Sequence, residues 1–160
     1  IALLEEGKNI ALVSDAGTPA ISDPGVLLVK MARARFGAAA RIVPIPGASA
    51  LTAAISAAGI PAAQCMFLGF LPHKKGRETA FRRIADSSDT IVFYESPHRI
   101  MKALHALLKH ISPDRRICVA REMTKIHESF VCGSAEEVEK YFLLHSEEVR
   151  GEFVVIVEGK

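Results

Sequence analysis

Apolar residues along the chain follow two spacings, one typical of buried strands and one typical of helices with a single apolar face. In the first third, the pattern predicts a strand at residues 9–13 and a helix that begins at Asp23-Pro24 and ends at Gly37. A second strand at 41–44 and an alanine-rich helix ending near Gly59 follow. Strand, helix, strand and helix in this order imply a parallel sheet with right-handed crossovers.

The remainder of the chain shows the same alternation with a hairpin inserted. Strands are predicted at 66–70, 90–94, 116–120, 128–132 and 153–157. Helices are predicted at 76–85, after Ser96-Pro97 with Ile100, Ala103, Leu104 and Leu107 on one side, and after a capping box of Ser134 and Glu137. We therefore expect an α/β protein of two lobes. A partial parallel-sheet lobe at 1–60 would precede a mixed-sheet α/β lobe at 65–160, with a linker at 60–64.

Composition places the chain among globular proteins, since 49% of its 160 residues are hydrophobic and 24% are charged. It contains no apolar stretch long enough for a transmembrane helix and no signal peptide. Cys65, Cys118 and Cys132 form no CxxC pair, which predicts three buried, reduced thiols, a cytoplasmic location and no zinc or other metal site. The chain does not begin with Met, and its first residues are predicted to end a helix, which indicates a fragment.

The net charge of +2 says little about partners, but the charges are unevenly distributed. The segment 73–83 carries five Lys or Arg residues and one Glu, a local charge of +4, so the rest of the chain sums to −2. Such a patch is compatible with contacts to RNA phosphates. A solvated loop and helix face is the more frequent explanation of a charge cluster of this kind.

Two loops rich in small residues follow the two strands predicted in the first third. In the loop at 14–25, Asp15 could accept hydrogen bonds from a ribose hydroxyl or an ammonium group, and a purely structural turn is equally compatible. In the loop at 46–50, Ser49 resembles a nucleophile-elbow serine, but Leu51 stands where the closing glycine of GxSxG belongs, so a helix cap is favoured. The absence of GxxxxGK[ST] and GxGxxG argues against P-loop NTPases, kinases and ordinary dinucleotide-binding folds.

Two polar clusters, at 94–99 and 121–128, also lie next to predicted strand ends. The first holds Glu95, His98 and Arg99, which are an acceptor, a titratable group and a fixed cation within six residues. A single His or Glu at such a turn is more often a surface or cap residue than a catalyst. Two such clusters beside two glycine-containing loops favour a functional site.

Six segments, taken in order, resemble the ribosomal RNA 2′-O-ribose methyltransferase branch of the tetrapyrrole methylase superfamily, the class III S-adenosylmethionine (SAM)-dependent methyltransferases. They are residues 14–25, 43–50, 67–72, 93–99 (Phe-Tyr-Glu-Ser-Pro-His-Arg), 120–128 and 151–154. The resemblance runs from end to end of the chain. It implies a two-lobed fold, SAM bound in the cleft between the lobes, a homodimer and small-subunit ribosomal RNA as the substrate.

The same resemblance implies which residues form the site. Cofactor contacts are expected from the positions that match the superfamily's binding segments: Asp15, Gly17, Thr18, Ser49, Ala50, Phe93, Tyr94, Ala120, Glu152 and Phe153. Methyl transfer to a ribose hydroxyl is an in-line displacement in which the hydroxyl proton must be removed. The side chains available for catalysis are Glu95, His98, Glu122 and Lys125, and the sequence singles out none of them. Phosphate contacts are expected from Lys74, Lys75, Arg77, Arg99 and Arg121.

The chain also departs from the family pattern. Family members begin with a further strand carrying a Pro-x-Pro-Ile-Gly-Asn motif and then an acidic Glu-Asp-Thr-Arg segment, and neither occurs in this sequence. We therefore expect little or no activity from this chain alone. Two alternatives remain open: a methylase of the same fold that acts on a corrinoid or porphyrin, which would need a large pocket and no basic patch, and a non-catalytic module that binds SAM or RNA.

Overall fold

The apolar run Phe153–Val157 forms the central strand of a five-stranded mixed sheet. The computed structural model describes residues 1–160, and their strands are β1 (Cys65–Phe70), β2 (Thr90–Glu95), β3 (Arg116–Arg121), β4 (Ser129–Ser134) and β5 (Phe153–Val157). The strand order is β1-β2-β5-β3-β4, in which β1 and β2 are parallel and the other neighbours are antiparallel. These strands confirm the mixed-sheet lobe expected from the sequence.

Helices cover both faces of this sheet. The helices of the chain are α1 (Ala2–Glu5), α2 (Val26–Phe36), α3 (Ala50–Ala58), α4 (Arg77–Asp86), α5 (Ile100–His110) and α6 (Ala135–Leu144). Because successive side chains of a strand point to opposite faces, Phe93 and Val155 pack in one apolar cluster with α4, α5 and α6. Val92 and Val154 point the other way, into a second cluster that includes α3.

Local signals in the sequence set the boundaries of several helices. The apolar side predicted for α5 is confirmed, since Ile100, Ala103, Leu104 and Leu107 are fully buried. The capping box at the start of α6 is also present: the Ser134 hydroxyl accepts a hydrogen bond from the Glu137 backbone N–H, and the Glu137 carboxylate accepts one from the Ser134 N–H. Each bond satisfies a backbone donor that the first helical turn leaves without an intrahelical partner.

The two strands predicted in the first third of the chain are not formed, and this prediction was wrong. Residues 9–13 and 41–44 form no strand and pair with no strand of the sheet. A strand is stabilised by hydrogen bonds to its neighbours, so an apolar run without such a partner has no ladder to join. Val13 and Val43 are accordingly 82% and 60% exposed.

Helix α2 begins later than predicted. Its N-cap is Gly25 at φ 142°, and Asp23 and Pro24 lie in the preceding turn rather than in the cap and first-turn positions. Its end at Gly37 is confirmed, with that residue at φ 54°. The positive φ of residue 25 favours glycine there, and a Cβ at this residue would also lie 2.7 Å from the end of the Leu12 side chain.

The chain divides into two compact units, Ile1–Ser49 and Ala50–Lys160. Helix α3, which the sequence assigned to the first lobe, belongs to the second unit because Ala54 and Ala58 pack in the same apolar cluster as β5. The boundary between the units therefore precedes the linker predicted at 60–64. None of the helices combines the length and apolar character that crossing a membrane requires.

The cysteines differ from their predicted state. Cys118 and Cys132 lie directly opposite each other on β3 and β4, and the structure joins them in a disulfide. The spacing rule for CxxC pairs missed them because the register of a hairpin, rather than closeness in sequence, brings them together. Cys65 is a free thiol, but it is exposed rather than buried.

Candidate functional site

The carboxyl ends of β2 and β3 lie at the same edge of the sheet. Both strands run antiparallel to β5, which lies between them, so they are parallel to each other. Glu95 at the end of β2 and Arg121 at the end of β3 both face Phe153, the first residue of β5. The two polar clusters found separately in the sequence are therefore neighbours, and the start of β5 lies between them.

Glu95 is a buried carboxylate held by two arginines. Its side chain is fully buried, and its two oxygens lie 2.8 Å from Arg77 Nη2 and 2.8 Å from Arg99 Nη2. The Ser96 backbone N–H donates a third hydrogen bond to the carboxylate. Because a charge can be buried only where it is paired and hydrogen-bonded, this arrangement accounts for a buried glutamate at the end of a strand. Both oxygens of the Glu95 carboxylate are thus already bonded to groups of the protein itself.

The same two arginines fix the turn that follows β1. Arg99 Nη1 donates to the Leu71 carbonyl at 3.0 Å, and Arg77 Nη1 donates to the Pro72 carbonyl at 3.2 Å. The side chains of Arg77 and Arg99 are only 16% and 14% exposed. Their hydrogen bonds are used within the protein, so they act as a clamp on the turn.

Lys74 and Lys75 lie in the exposed part of this turn. Both residues are exposed, and neither forms a salt bridge in the described chain. In the rest of the basic segment, Arg82 lies 3.7 Å from Glu78, and Arg83 contacts the Met66 sulfur. In this basic segment Lys74, Lys75 and Arg83 therefore have no acidic partner, and of these only the two lysines make no side-chain hydrogen bond or salt bridge at all.

At the end of β3, three charged residues form a second network. Glu122 Oε1 accepts hydrogen bonds of 2.8 Å from Lys125 Nζ and of 2.8 Å from the Glu152 backbone N–H. Lys125 Nζ also lies 3.1 Å from Glu152 Oε2. The hydrogen bonds from Lys125 and Glu152 lower the pKa of Glu122, and the hydrogen bonds to Glu122 and Glu152 raise the pKa of Lys125. Both groups are therefore held in their charged forms at neutral pH.

The backbone of this turn is strained. Glu122 and Thr124 adopt φ angles of 50° and 65°, in the left-handed region that non-glycine residues rarely occupy. For the β-branched Thr124 the conformation is especially unfavourable, and the backbone N–H of this residue donates to Glu128 Oε2 at 2.6 Å. Strained residues of this kind persist where surrounding contacts fix them, and they occur often at functional sites.

Arg121 is buried behind the turn. Its Nε donates to the Arg150 carbonyl at 3.0 Å and its Nη1 to the His127 carbonyl at 3.1 Å, and only 6% of the side chain is exposed. A cavity of about 600 Å³ adjoins it, lined among others by Glu122, His127 and Ser129. The Ser129 hydroxyl is buried without a hydrogen-bond partner. Arg121 thus joins the turn to the segment before β5.

The first unit contains its own pair of adjacent loops. The Thr18 hydroxyl donates to the Ala48 carbonyl at 3.1 Å, and the Ser14 hydroxyl donates to the Gly17 carbonyl at 3.3 Å. The loops at 14–25 and 46–50 are therefore in contact. Asp15 is exposed in the first of these loops. Gly17, two residues later, adopts φ 71°, a backbone conformation that favours glycine.

Comparison with known proteins agrees with the family expected from the motifs. The family model for Tetrapyrrole (Corrin/Porphyrin) Methylases matches residues 1–139. The chain belongs to the tetrapyrrole methylase family. Ribosomal RNA small subunit methyltransferase I of Haemophilus influenzae is 44% identical over 158 residues, and that of Pseudomonas aeruginosa is 41% identical over 160 residues. These alignments cover 98% and 99% of this chain but only 55% and 56% of the relatives, so the chain spans about half of their length.

A solved structure gives the same result at the level of the fold. The crystal structure of the methyltransferase CobJ matches with a TM-score of 0.68 and covers 99% of this chain and 67% of that one. At 23% sequence identity, the likeness supports the tetrapyrrole methylase fold alone.

Three of the residues expected to bind a cofactor in this tetrapyrrole methylase have no accessible side chain. Phe93, Ala120 and Phe153 are buried in the two apolar clusters on either face of the sheet. A ligand at these positions would meet the backbone at the strand ends, as the small residues of the family loops also imply. Tyr94 and Glu152 lie at the same edge of the sheet, where Tyr94 is half-buried and Glu152 is exposed.

His98 differs from the other three candidates for catalysis. It is exposed in the turn after β2, and it makes no hydrogen bond or salt bridge within the described chain. Glu95, Glu122 and Lys125 are all paired. The geometry therefore separates four side chains that the sequence left equivalent.

An aromatic group that was not predicted from the sequence lies at the end of β1. The Phe67 and Phe70 rings both contact the Tyr94 ring, with centroid distances of 4.9 Å and 5.6 Å. The signal was present as Gly69 between two aromatic residues of a strand, since an interior strand glycine often marks a bulge.

One group of potential metal ligands lies outside this edge. His145, Glu147 and Glu148 offer ligand atoms within 4.8 Å of one another. Glu148 also accepts hydrogen bonds from the Tyr141 hydroxyl, and exposed acidic groups are common without a metal. The expectation that the protein needs no metal stays a prediction.

Proposed function

We propose that the protein transfers a methyl group from SAM to a ribose 2′-hydroxyl of small-subunit ribosomal RNA. The observation that supports this most directly is that the carboxyl ends of β2 and β3 lie together beside two exposed lysines without acidic partners. Relatives named ribosomal RNA small subunit methyltransferase I are 41–45% identical to the chain, which favours RNA over a tetrapyrrole as the substrate. The proposal includes a homodimer, as the resemblance implies, and a cytoplasmic location, which fits a ribosomal RNA substrate.

SAM would be held by the residues that fit its polar groups. An exposed carboxylate such as Asp15 suits a ribose diol or the amino acid ammonium group, and the open backbone around Gly17 and Ala48 suits close approach of a nucleoside. In the second unit, Tyr94 and Glu152 offer accessible groups at the strand ends. The proposed set also includes Thr18, Ser49 and Ala50. The Thr18 hydroxyl donates to the Ala48 carbonyl, in the loop that carries Ser49 and Ala50. When bound, SAM supplies the electrophilic methyl group.

The hydroxyl proton needs an acceptor, and we assign this role to His98. Glu95 is saturated by Arg77, Arg99 and the Ser96 N–H. Lys125 is held as an ammonium ion and therefore has no lone pair to accept a proton. Glu122 is a carboxylate whose lowered pKa makes it a weaker base. His98 carries an imidazole in an exposed turn, and no group of the protein occupies its ring nitrogens.

Contacts to RNA phosphates are assigned to Lys74 and Lys75. Arg77, Arg99 and Arg121 were expected to share this role, but their guanidinium groups donate to carboxylates and carbonyls of the protein itself. We propose that these three arginines instead hold the turns that carry the substrate contacts. Catalysis would then depend on positioning by Glu95, Arg77 and Arg99 and on proton removal by His98.

Methyl transfer can be tested directly with the full-length protein. The protein is incubated with small ribosomal subunits and SAM labelled in its methyl group, and the RNA is digested to nucleosides. We expect the label in a 2′-O-methylated nucleoside. Label found only in a corrinoid or porphyrin offered in parallel would favour the tetrapyrrole alternative. Binding of SAM and RNA without any transfer would favour the non-catalytic alternative, and either result would overturn the proposal.

A further inference from the structure

A bulge at the end of β1 turns Phe70 onto an unexpected face of the sheet. In a regular strand, Phe67 and Phe70 would point to opposite faces, because side chains alternate with a period of two. The pairing of β1 with β2 instead shifts between these two residues, and Gly69 adopts φ 61° at the shift. As a result, both rings meet Tyr94 at interplanar angles of 67° and 66°. Bulges of this kind often re-aim a side chain next to an active site.

The re-aimed ring remains largely accessible. Phe70 is 54% exposed, although the next residue, Leu71, is 2% exposed and lies in the main core. Edge-to-face contact with Tyr94 supports the ring from within the protein. The Phe70 ring therefore lies at the surface of an edge strand. Leu71, the next residue, is buried, and Tyr94, whose ring contacts Phe70, is partly buried.

Positive charge follows the ring directly. Residues 72–76 are all exposed, and they include Lys74 and Lys75, which have no salt-bridge partner. The Leu71 and Pro72 carbonyls at the start of this turn are held by Arg99 and Arg77. Because both arginines are fixed by the buried Glu95, the turn is held in a defined position relative to the ring.

We propose that Phe70 stacks on an unstacked base of the substrate RNA while Lys74 and Lys75 contact the adjacent phosphates. This inference rests on the proposed function and deepens it, since it names the element that recognises single-stranded RNA. Aromatic rings beside cationic groups are the usual platform for single-stranded nucleic acid, because every base offers a π-face and every nucleotide a phosphate. The adenine of SAM is a poorer occupant, since its sulfonium and the two lysines would repel each other.

The test compares RNA binding by the full-length wild-type protein with binding by a set of variants, using filter binding of labelled small-subunit ribosomal RNA over a range of salt concentrations. We expect Phe70→Ala to weaken binding about tenfold, since stacking contributes ~1–3 kcal/mol per base. Phe70→Tyr keeps the ring and should bind RNA as tightly as wild type, whereas Phe70→Leu should bind RNA as weakly as Phe70→Ala. Leu144→Ala removes another exposed apolar side chain, on α6, and should have no effect.

Salt dependence separates the ring from the lysines. Phe70→Ala should leave the slope of log K against log salt unchanged, whereas Lys74→Ala with Lys75→Ala should reduce it by about 1.4, because each single-strand phosphate contact contributes about 0.7. Loss of SAM binding by Phe70→Ala, measured by thermal shift with SAM alone, would assign the ring to the cofactor and overturn the inference. The inference is also overturned if Phe70→Ala weakens binding of a carboxylated porphyrin and leaves RNA binding unchanged.

The failure of this inference can be distinguished from failure of the proposed function. If the wild-type protein methylates small ribosomal subunits but Phe70→Ala binds RNA as tightly as Leu144→Ala does, the stacking role is wrong and the proposed function stands. If the wild-type protein transfers no methyl group to RNA, the proposed function itself fails. Unfolding temperatures within about 2 °C of wild type for Phe70→Leu and Phe70→Tyr would show that folding is not the cause.

Discussion

Gly151 lies against the side chain of Glu122. A Cβ added at residue 151 would overlap the carboxyl carbon and Oε1 of Glu122, and Gly151 itself has φ 87°. The carboxylate held in this place accepts hydrogen bonds from Lys125 and from the Glu152 N–H. A glycine in the segment before β5 therefore determines where a charged side chain at the end of β3 can lie.

We expect Gly151→Ala to destabilise the protein by about 2–4 kcal/mol, because it combines a strained positive φ with displacement of Glu122. Urea denaturation would measure the change. Gly59→Ala provides the matched control, since Gly59 has φ 64° and an added Cβ there meets nothing within 4 Å. Equal losses in the two variants would show that backbone strain alone matters and that the contact with Glu122 does not.

The buried clamp at the end of β2 leads to a second prediction. Glu95→Gln should destabilise the protein by about 3–5 kcal/mol, because Arg77 and Arg99 lose their carboxylate while they remain largely buried. The free energy of unfolding in urea gives the effect. Glu78→Gln, at an exposed position that faces Arg82, should change it by less than about 1 kcal/mol. Stability unchanged by Glu95→Gln would contradict the clamp.

The contact of Gly151 with Glu122 and the pairing of Glu95 with two arginines could not be predicted from the sequence. The strand at 153–157, the apolar side of α5 and the capping box at Ser134 all follow from local spacing, and the structure contains each of them. The pairing of Glu95 with Arg77 joins residues 18 apart on different elements, so no local pattern reports it. The polar residues of the site are therefore visible in the sequence, but several side chains expected to face solvent or substrate are used within the fold.

The missing strands of the first unit have a related cause. Residues 9–13 and 41–44 have the composition of buried strands, yet a strand depends on a neighbour that local sequence does not specify. The bulge at Gly69 shows a related limit: the glycine signals a bulge, but regular alternation along a strand would place Phe70 on the face opposite to Phe67, and only the pairing with β2 shows where the ring lies. In both cases the decisive interaction is with another part of the chain.

A third prediction concerns pH. The pKa of Glu122 is lowered in the folded protein by the hydrogen bonds from Lys125 and Glu152, so this carboxylate stabilises the fold above its unfolded pKa. The contribution is lost as the pH falls through the lower, folded-state pKa. We therefore expect the difference in unfolding free energy between wild type and Glu122→Gln to be constant near pH 6–7 and to shrink below about pH 4.5. Urea titrations across this range would measure it, and a difference independent of pH would exclude the mechanism.

The last prediction tests His98 as the proton acceptor. In the full-length protein, His98→Gln should lower kcat for methylation of small ribosomal subunits by about 10²–10⁴-fold, because proton removal in the transition state contributes on that order. SAM and RNA binding should be unchanged, since the His98 side chain makes no contact that supports the fold. His105→Gln, which removes an exposed histidine on α5 paired with Glu139, should leave kcat near the wild-type value. A kcat for His98→Gln as high as that of His105→Gln would mean that the proton leaves by another route, such as water, and would leave Glu122 as the remaining carboxylate to examine.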